Sequence, residues 1–136
     1  RATWNGKAWE DEKICDGGKW FPQTRRFRRE KEPHYSGGMC FLPGNPDVVY
    51  LSRERDGGFV LEKWEKAEVG WKSTVLSKGK TGVNVRPVVP RGWDKHQKGN
   101  DHVLWMSGRY RHYTDYNTSI EMVLPHLDSK KRTNRN

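Results

Sequence analysis

The stretch Val48-Val49-Tyr50-Leu51-Ser52-Arg53, followed by Asp56-Gly57-Gly58 and then by Phe59-Val60-Leu61-Glu62-Lys63-Trp64, decides the fold of this chain. Both runs are rich in the β-branched and aromatic residues that favour strands. The Asp-Gly dipeptide between them is preferred in two-residue hairpin turns, because both of its positions tolerate a positive φ. The sequence therefore predicts an antiparallel β-hairpin at this point.

Two further strands flank the predicted hairpin. Residues 38–42 form a short apolar run that is closed by Pro43, and residues 71–76 alternate imperfectly between apolar and polar. Together with the hairpin they give four short strands within about forty residues, bounded by the glycine and proline signals that punctuate all-β folds.

The same pattern then recurs. Residues 85–90 form a second short run ended by proline, residues 102–109 echo residues 47–53, and residues 118–123 echo residues 59–64. Leu51 and Met106, at equivalent positions, are 55 residues apart, and the polar insertion at residues 94–101 accounts for the long spacing. Repeats of four short strands at roughly this period are typical of β-propeller blades.

The composition agrees with a turn-rich β protein. The 136 residues are only 32% apolar but include seven tryptophans, and chains that are disordered throughout are usually poor in aromatics. Fourteen glycines and seven prolines interrupt long helical patterns. No apolar run approaches the roughly 20 residues of a membrane-spanning helix, so we expect no membrane span.

Several of these stretches, taken together, resemble the bacterial BNR-repeat proteins, which are similar to sialidase-type propellers and include the ulvan lyases. The resemblance covers roughly residues 30–124. It rests on residues 34–39, 45–53, 84–88, 103–106 and 113–116. The segment at residues 65–71 departs from the sialidase-type Asp-box, so sialidase activity is not implied.

The resemblance implies an all-β, partial propeller made of four-stranded antiparallel blades. We predict a lead-in over residues 1–33, blade-like repeats over residues 34–78 and 79–127, and a disordered basic tail over residues 128–136. Two blades cannot close a ring, so we expect a piece of a longer protein whose edge strands can self-associate. The resemblance also implies a secreted or periplasmic location.

The resemblance implies, as function, binding of an acidic polysaccharide and its cleavage by β-elimination in the full-length protein. Such a reaction needs a base for the proton beside the carboxylate, a group that neutralises the carboxylate, and an acid for the leaving oxygen; histidine, arginine and tyrosine fit these roles. Blade topology sets the candidate residues on one face, and residues 109–116 read as a long loop within it. The catalytic candidates are His34, Tyr35, Arg86, His112 and Tyr113, and the substrate-binding candidates are Arg53, Arg109, Tyr110, Arg111 and Tyr116.

Two other functions compete with this hypothesis. The first is a non-catalytic propeller module that binds glycan or protein. The second is a small nucleic-acid binder, since the net charge is +9 and basic residues cluster at positions 25–29 and 130–135. The repeated strands disfavour the second, because nucleic-acid binding does not require them.

Patterns for cofactors and metals are weak. The sequence has no glycine-rich phosphate loop and no Gly-x-Ser-x-Gly elbow, so we expect no cofactor. The histidines are scattered without metal-ligand spacing, and we expect no metal site. Cys15 and Cys40 allow one disulfide, but nothing in the sequence requires it.

Overall fold

The structure, a computed structural model, describes residues 1–17, 37–56, 58–77, 82–92, 103–112 and 114–123. Within these ranges the chain is all-β, as predicted, and no helix long and apolar enough to cross a membrane occurs in them. The strands in chain order are β1 (Ala2–Trp4), β2 (Trp9–Asp11), β3 (Met39–Leu42), β4 (Asn45–Arg55), β5 (Gly58–Lys66), β6 (Trp71–Val75), β7 (Val83–Val88), β8 (Leu104–His112) and β9 (Asp115–Met122).

Strands β3 to β6 form an antiparallel sheet in chain order, which we call the first meander. The predicted hairpin is confirmed as β4 and β5, whose last pair is Arg55 with Gly58. Asp56, in the two-residue turn between them, has a φ of 51°. Asp is one of the few non-glycine residues that adopt this conformation readily, which explains the choice of Asp-Gly.

Strands β7 to β9 form a second antiparallel unit, the second meander. It joins the first through one parallel pair, Phe59 with Val83, so that the two meanders count as a single seven-stranded sheet. The second meander supplies three strands within the described residues, against four in the first.

The strand positions follow the sequence prediction, with shifted ends. Strand β4 begins at Asn45 rather than at Val48, because Pro43 and Gly44 alone close the turn between the paired residues Leu42 and Asn45. Gly44 has a φ of 77°, the conformation that the third position of a type II turn requires. Strand β7 covers Val83–Val88 instead of residues 85–90, and β9 begins three residues earlier than predicted.

The hydrophobic core lies between the two meanders. It contains Val48, Tyr50 and Leu61 from the first and Val89, Val103 and Trp105 from the second, all buried. Val48-x-Tyr50-x-Ser52 and Val103-x-Trp105-x-Ser107 are equivalent positions of the sequence repeat. The two copies of the repeat therefore meet through like faces.

One buried amide, that of Asn84 on β7, connects the two meanders. Its Nδ2 donates to the Phe59 carbonyl oxygen at 2.9 Å. Its Oδ1 accepts from Trp105 Nε1 and from Ser107 Oγ, each at 3.0 Å. Ser52 Oγ donates to the Asn84 backbone carbonyl. Both repeat serines thus bond the same residue, and the amide oxygen has both of its lone pairs occupied.

Two glycines allow backbone segments to approach closely. Gly108 has a φ of 133°, and a Cβ there would lie 2.5 Å from the Asn117 carbonyl oxygen. A Cβ on Gly37 would overlap the Ser52 side chain. Larger residues at either position would push apart strands that the core holds together.

A separate hairpin is formed by β1 and β2. Ion pairs and a cation–π contact join this part of the chain to the first meander. Arg1 pairs with Asp47 and Glu12, and its guanidinium lies 5.2 Å from the centre of the Trp71 ring. Lys66 pairs with Glu12. The hairpin is attached by charged groups at its base, while Trp4 and Trp9 contact each other on its exposed surface.

We expect Asn84→Ala to lower the free energy of unfolding by about 2–4 kcal/mol, because the buried Trp105 indole and the Phe59 carbonyl lose their partners. Asn117→Ala, at an exposed position of β9, is the matched control and should stay within about 0.5 kcal/mol. Urea unfolding followed by tryptophan fluorescence measures both. Equal stability of the two variants would contradict the role given to Asn84.

Candidate functional site

Four connections of the chain lie at the same end of the seven-stranded sheet, which we call the turn end. They are the approach to β3 at Gly37 and Gly38, the β4–β5 turn, the start of β7 and the β8–β9 turn. Ser52 N donates to Gly38 O at 3.0 Å, and Arg86 N donates to Gly37 O at 2.5 Å. Because Val83 pairs with both Phe59 and Gly108, the starts of β5 and β7 lie beside the middle of β8, and the rest of β8 extends beyond them toward its turn.

Arginine and lysine are segregated along the sheet. Four of the five arginines in its strands are on the half nearer the turn end, and its lysines are all on the other half. The fifth, Arg86, lies just past the middle of β7 and bonds to Gly37 at the approach to β3. The arginines are Arg53, Arg55, Arg86, Arg109 and Arg111, and the lysines are Lys63, Lys66 and Lys72. The turn end therefore carries the cations that bind planar anions at two points, whereas lysine acts as a point charge.

Arg86 has an unusual backbone. It has a φ of 57° although it is not glycine, and its side chain is exposed. The register of β7 and β8 shifts between Val85 and Val88, where Pro87 has no N–H to continue the ladder. A left-handed conformation costs an ordinary residue about 1–2 kcal/mol, and such strain is concentrated at functional sites.

Residues 109–116 are not the long loop expected from the sequence. Strands β8 and β9 run through most of this segment, and His112 pairs with Asp115 across a tight turn. The cause is the succession of tyrosine, arginine and threonine, which suits an extended ribbon as well as it suits a loop. The segment was predicted to be a loop because its side chains are polar, but tyrosine and threonine also favour strands.

The extended ribbon separates some of the predicted residues. Arg109 pairs with Asp115 at 3.5 Å, and both side chains are about half exposed. Tyr116 is 60% exposed and follows Asp115 in the strand, so its side chain lies on the opposite face. Arg109 and Tyr116 are brought to the same end of the sheet but not to the same face.

Arg53 has partners within the first meander. Its Nε lies 3.4 Å from a Glu62 carboxylate oxygen, and its guanidinium lies 5.7 Å from the centre of the Trp64 ring. Arg55 Nε lies 2.5 Å from the other Glu62 oxygen, and Trp64 Nε1 donates to Glu62 at 2.8 Å. Glu62 is fully buried. A substrate cannot reach the buried Glu62 carboxylate. The carboxylate instead fixes the positions of the two arginines.

Glu62 was not among the residues predicted to bind or to react. The signal was nevertheless present, because in the predicted hairpin Glu62 lies diagonally across from Arg53, and opposite charges at such positions attract. Its burial could not be read from the sequence, since a glutamate between Leu61 and Lys63 looks like an exposed strand residue.

The remaining predicted residues give no side-chain geometry. His34, Tyr35 and Tyr113 lie outside the described residues, as do the basic cluster at residues 25–29 and the tail. Tyr110, Arg111 and His112 are the last three residues of β8, and the structure describes their backbone only. In the part of the chain that the structure describes, no group of three or more His, Cys, Asp or Glu side chains could hold a metal ion.

The two cysteines are free thiols on opposite faces of the first meander. Cys40 pairs with Tyr50 in the sheet and packs against the core. Cys15 is close enough to Arg53 and Glu62, on the other face, for their charges to act on its pKa. Burial raises the pKa of both thiols, that of Cys40 to about 11. The disulfide that the sequence allowed is not formed.

Comparison with known proteins gives no match to a family model, to a curated protein or to a solved structure.

We expect Cys40 to react slowly with iodoacetamide, since burial raises the pKa of its thiol from the usual 9.0 to about 11. At pH 8 the folded protein should label at Cys40 roughly a hundredfold more slowly than the urea-unfolded chain, and the rate should rise tenfold per pH unit. The stability that the neutral thiol provides should be present below pH 9 and be lost as pH rises toward 11. Peptide mass spectrometry measures the labelling, and rapid reaction of the folded protein at pH 8 would contradict it.

Proposed function

We propose that this chain binds an acidic polysaccharide at the turn end. The observation that carries the proposal is the segregation of arginine to this end of the sheet. Arginine presents a planar pair of N–H donors that matches a carboxylate or sulfate group, and it stays charged at all relevant pH values. Lysine on the same surface would attract polyanions without this geometric preference.

Arg86 and Arg109 are the two residues to which we assign the contacts. Val85, beside Arg86, pairs with Met106, and Arg109 follows Met106 by three residues on β8. Because the two strands are antiparallel, Arg86 lies opposite Trp105, four residues before Arg109, so the two arginine positions are about 13 Å apart along the sheet. An extended polymer with a charged group on successive sugars can span such a distance, so that both arginines engage one chain. The strained backbone at Arg86 supports a functional reason for keeping arginine there.

Arg53 and Arg55 have a supporting part in this proposal. Glu62 neutralises much of their charge and fixes their direction, so they shape the surface beside the site and add less attraction of their own. The aromatic ring of Tyr116 offers a stacking surface on the other face of the ribbon.

The fold that accompanies this function is, in our proposal, a pair of BNR-type blade-like units from a carbohydrate-active protein. The strand order β3-β4-β5-β6 is that of a four-stranded blade, which supports the idea. A closed ring, however, needs unlike faces to meet head to tail, whereas these two copies meet through like faces. The proposal therefore concerns the turn end and does not depend on ring closure.

Cleavage is the second part of the proposal. In the full-length protein, Arg86 would hold one uronate carboxylate of the polymer, while His112 or Tyr113 would move the proton beside the carboxylate of another sugar, since Arg86 and His112 are about 20 Å apart along the sheet. Both proton-transfer candidates are close in sequence to Arg109 and Asp115. A histidine has a pKa near neutrality and suits the base, and a tyrosine suits the acid.

We expect Arg86→Asn to weaken binding of polygalacturonate or a sulfated glycan about tenfold or more, because a charge-assisted two-point contact is lost. Asparagine is chosen since it tolerates the left-handed backbone. Arg91→Asn removes an exposed arginine beyond the other end of β7 and is the matched control. Isothermal titration at two salt concentrations measures both variants. Equal weakening by the two substitutions would indicate general attraction to the basic chain instead of a site.

For cleavage, we expect the full-length protein to produce the ultraviolet absorbance of an unsaturated uronate. Arg86→Lys should raise KM about tenfold, because its two-point contact with the polymer is lost, and His112→Ala or Tyr113→Phe should lower turnover by about 10²–10⁴ with binding largely retained. If no acidic polysaccharide gives the signal, the protein is a binding module. If turnover survives the substitutions at His112 and Tyr113, other residues carry the chemistry.

A further inference from the structure

Strand β9 is the exposed edge of the second meander. Within the described residues it pairs only with β8, and its other side carries no strand. Asp115 to Glu121 are exposed except for the half-buried Thr118. The strand is eight residues long and contains no proline, and its register with β8 is regular from Leu104 to Tyr110. A long regular edge of this kind is a template for another strand.

One face of β9 is largely apolar. Tyr116, Thr118, Ile120 and Met122 share this face because strand side chains alternate. Tyr116 is 60% exposed and Ile120 is 71% exposed. Ile120 pairs with Met106, so the apolar surface continues onto β8.

The other edges of the sheet have features that block pairing. Strand β3 is four residues long, has a register shift and ends at Pro43. Strand β6 carries Lys72 at an exposed position, and Arg1 and Lys66 stack on Trp71 at its start. Short length, irregularity and an exposed lysine are the usual protections of an edge strand. Strand β9 has none of them.

We propose that β9 pairs with β9 of a second copy of this chain, antiparallel and centred on Ser119. In an antiparallel ladder, residues directly opposite each other lie on the same face, so a two-fold pairing must be centred on a residue. Centring on Ser119 sets Ser119 opposite its own copy and Asn117 opposite Glu121. On the apolar face it sets Thr118 opposite Ile120 and Tyr116 opposite Met122.

This register opposes no like charges, because Asp115 falls opposite Val123 and Glu121 falls opposite Asn117. Centring on Thr118 would instead set Asp115 against Glu121, a destabilising pair. Residues 115–123 also contain no lysine or arginine. This edge therefore adds no positive charge of its own to the contact between two chains of net charge +9.

The pairing closes at two copies. The contact is isologous, since the same strand is used by both chains, and it leaves no second β9 edge to extend the assembly. The two turn ends point in opposite directions along the joined sheet. The inference rests on the edge strand and does not require a ligand at the turn end; of the residues assigned there, it involves Tyr116.

The test uses the 136-residue chain and two opposite charge substitutions at the centre, Ser119→Lys and Ser119→Glu. By light scattering, the unsubstituted chain at a concentration of about 100 μM should have twice the monomer mass of 16.0 kDa. Each variant sets like charges opposite each other and should weaken dimerisation tenfold or more. An equimolar mixture of the two variants should dimerise again, because lysine then faces glutamate.

The control is Ser73→Lys, which adds the same charge at an exposed serine of β6. It should leave the dimer unchanged. A monomer at 100 μM for the unsubstituted chain would overturn the inference, and so would dimers that tolerate both charges at Ser119. Weakening by Ser119→Lys without recovery in the mixture would overturn the proposed register. Circular dichroism of each variant confirms that the chain stays folded.

Discussion

The arrangement of the two meanders depends on the need to satisfy one buried amide. Asn84 is almost fully buried, and a buried amide without partners costs free energy that a small domain cannot spare. Its partners come from β5, from β8 and, through the backbone carbonyl, from Ser52. These bonds form together only when the meanders have one relative position. The core residues around Asn84 supply most of the cohesion, and the amide selects the register in which they pack.

Most of the strands could be predicted from the sequence because each is marked locally. Asp-Gly specifies the β4–β5 turn, Pro43-Gly44 specifies the turn before β4, and β-branched residues fill the strands between them. The packing of the meanders could not be predicted in this way. The repeat shows that Tyr50 and Trp105 are equivalent, yet it contains no information on whether like or unlike faces meet. That choice is made by Asn84, whose partners are distant in sequence.

The candidate site was predictable to the extent that it follows the topology. Arg109 lies in the half of β8 that leads to the turn, as blade-type connections predict, whereas Arg86 lies past the middle of β7. The state of each side chain depends on neighbours that the sequence does not identify. Arg53 was predicted to bind substrate, but its guanidinium pairs with the buried carboxylate of Glu62. The polar richness of residues 109–116 indicated a loop, whereas strand pairing extends the ribbon almost to its tip.

The single parallel pair between Phe59 and Val83 has a mechanical consequence. Inside each meander, antiparallel ladders of several pairs share any load applied along the strands. Between the meanders, one pair, the backbone bond from Arg86 to Gly37 and the side-chain contacts around Asn84 must bear it. Tension across that junction would therefore act on a few bonds in succession. The chain should yield there first, separating into two intact sheets before either sheet unravels.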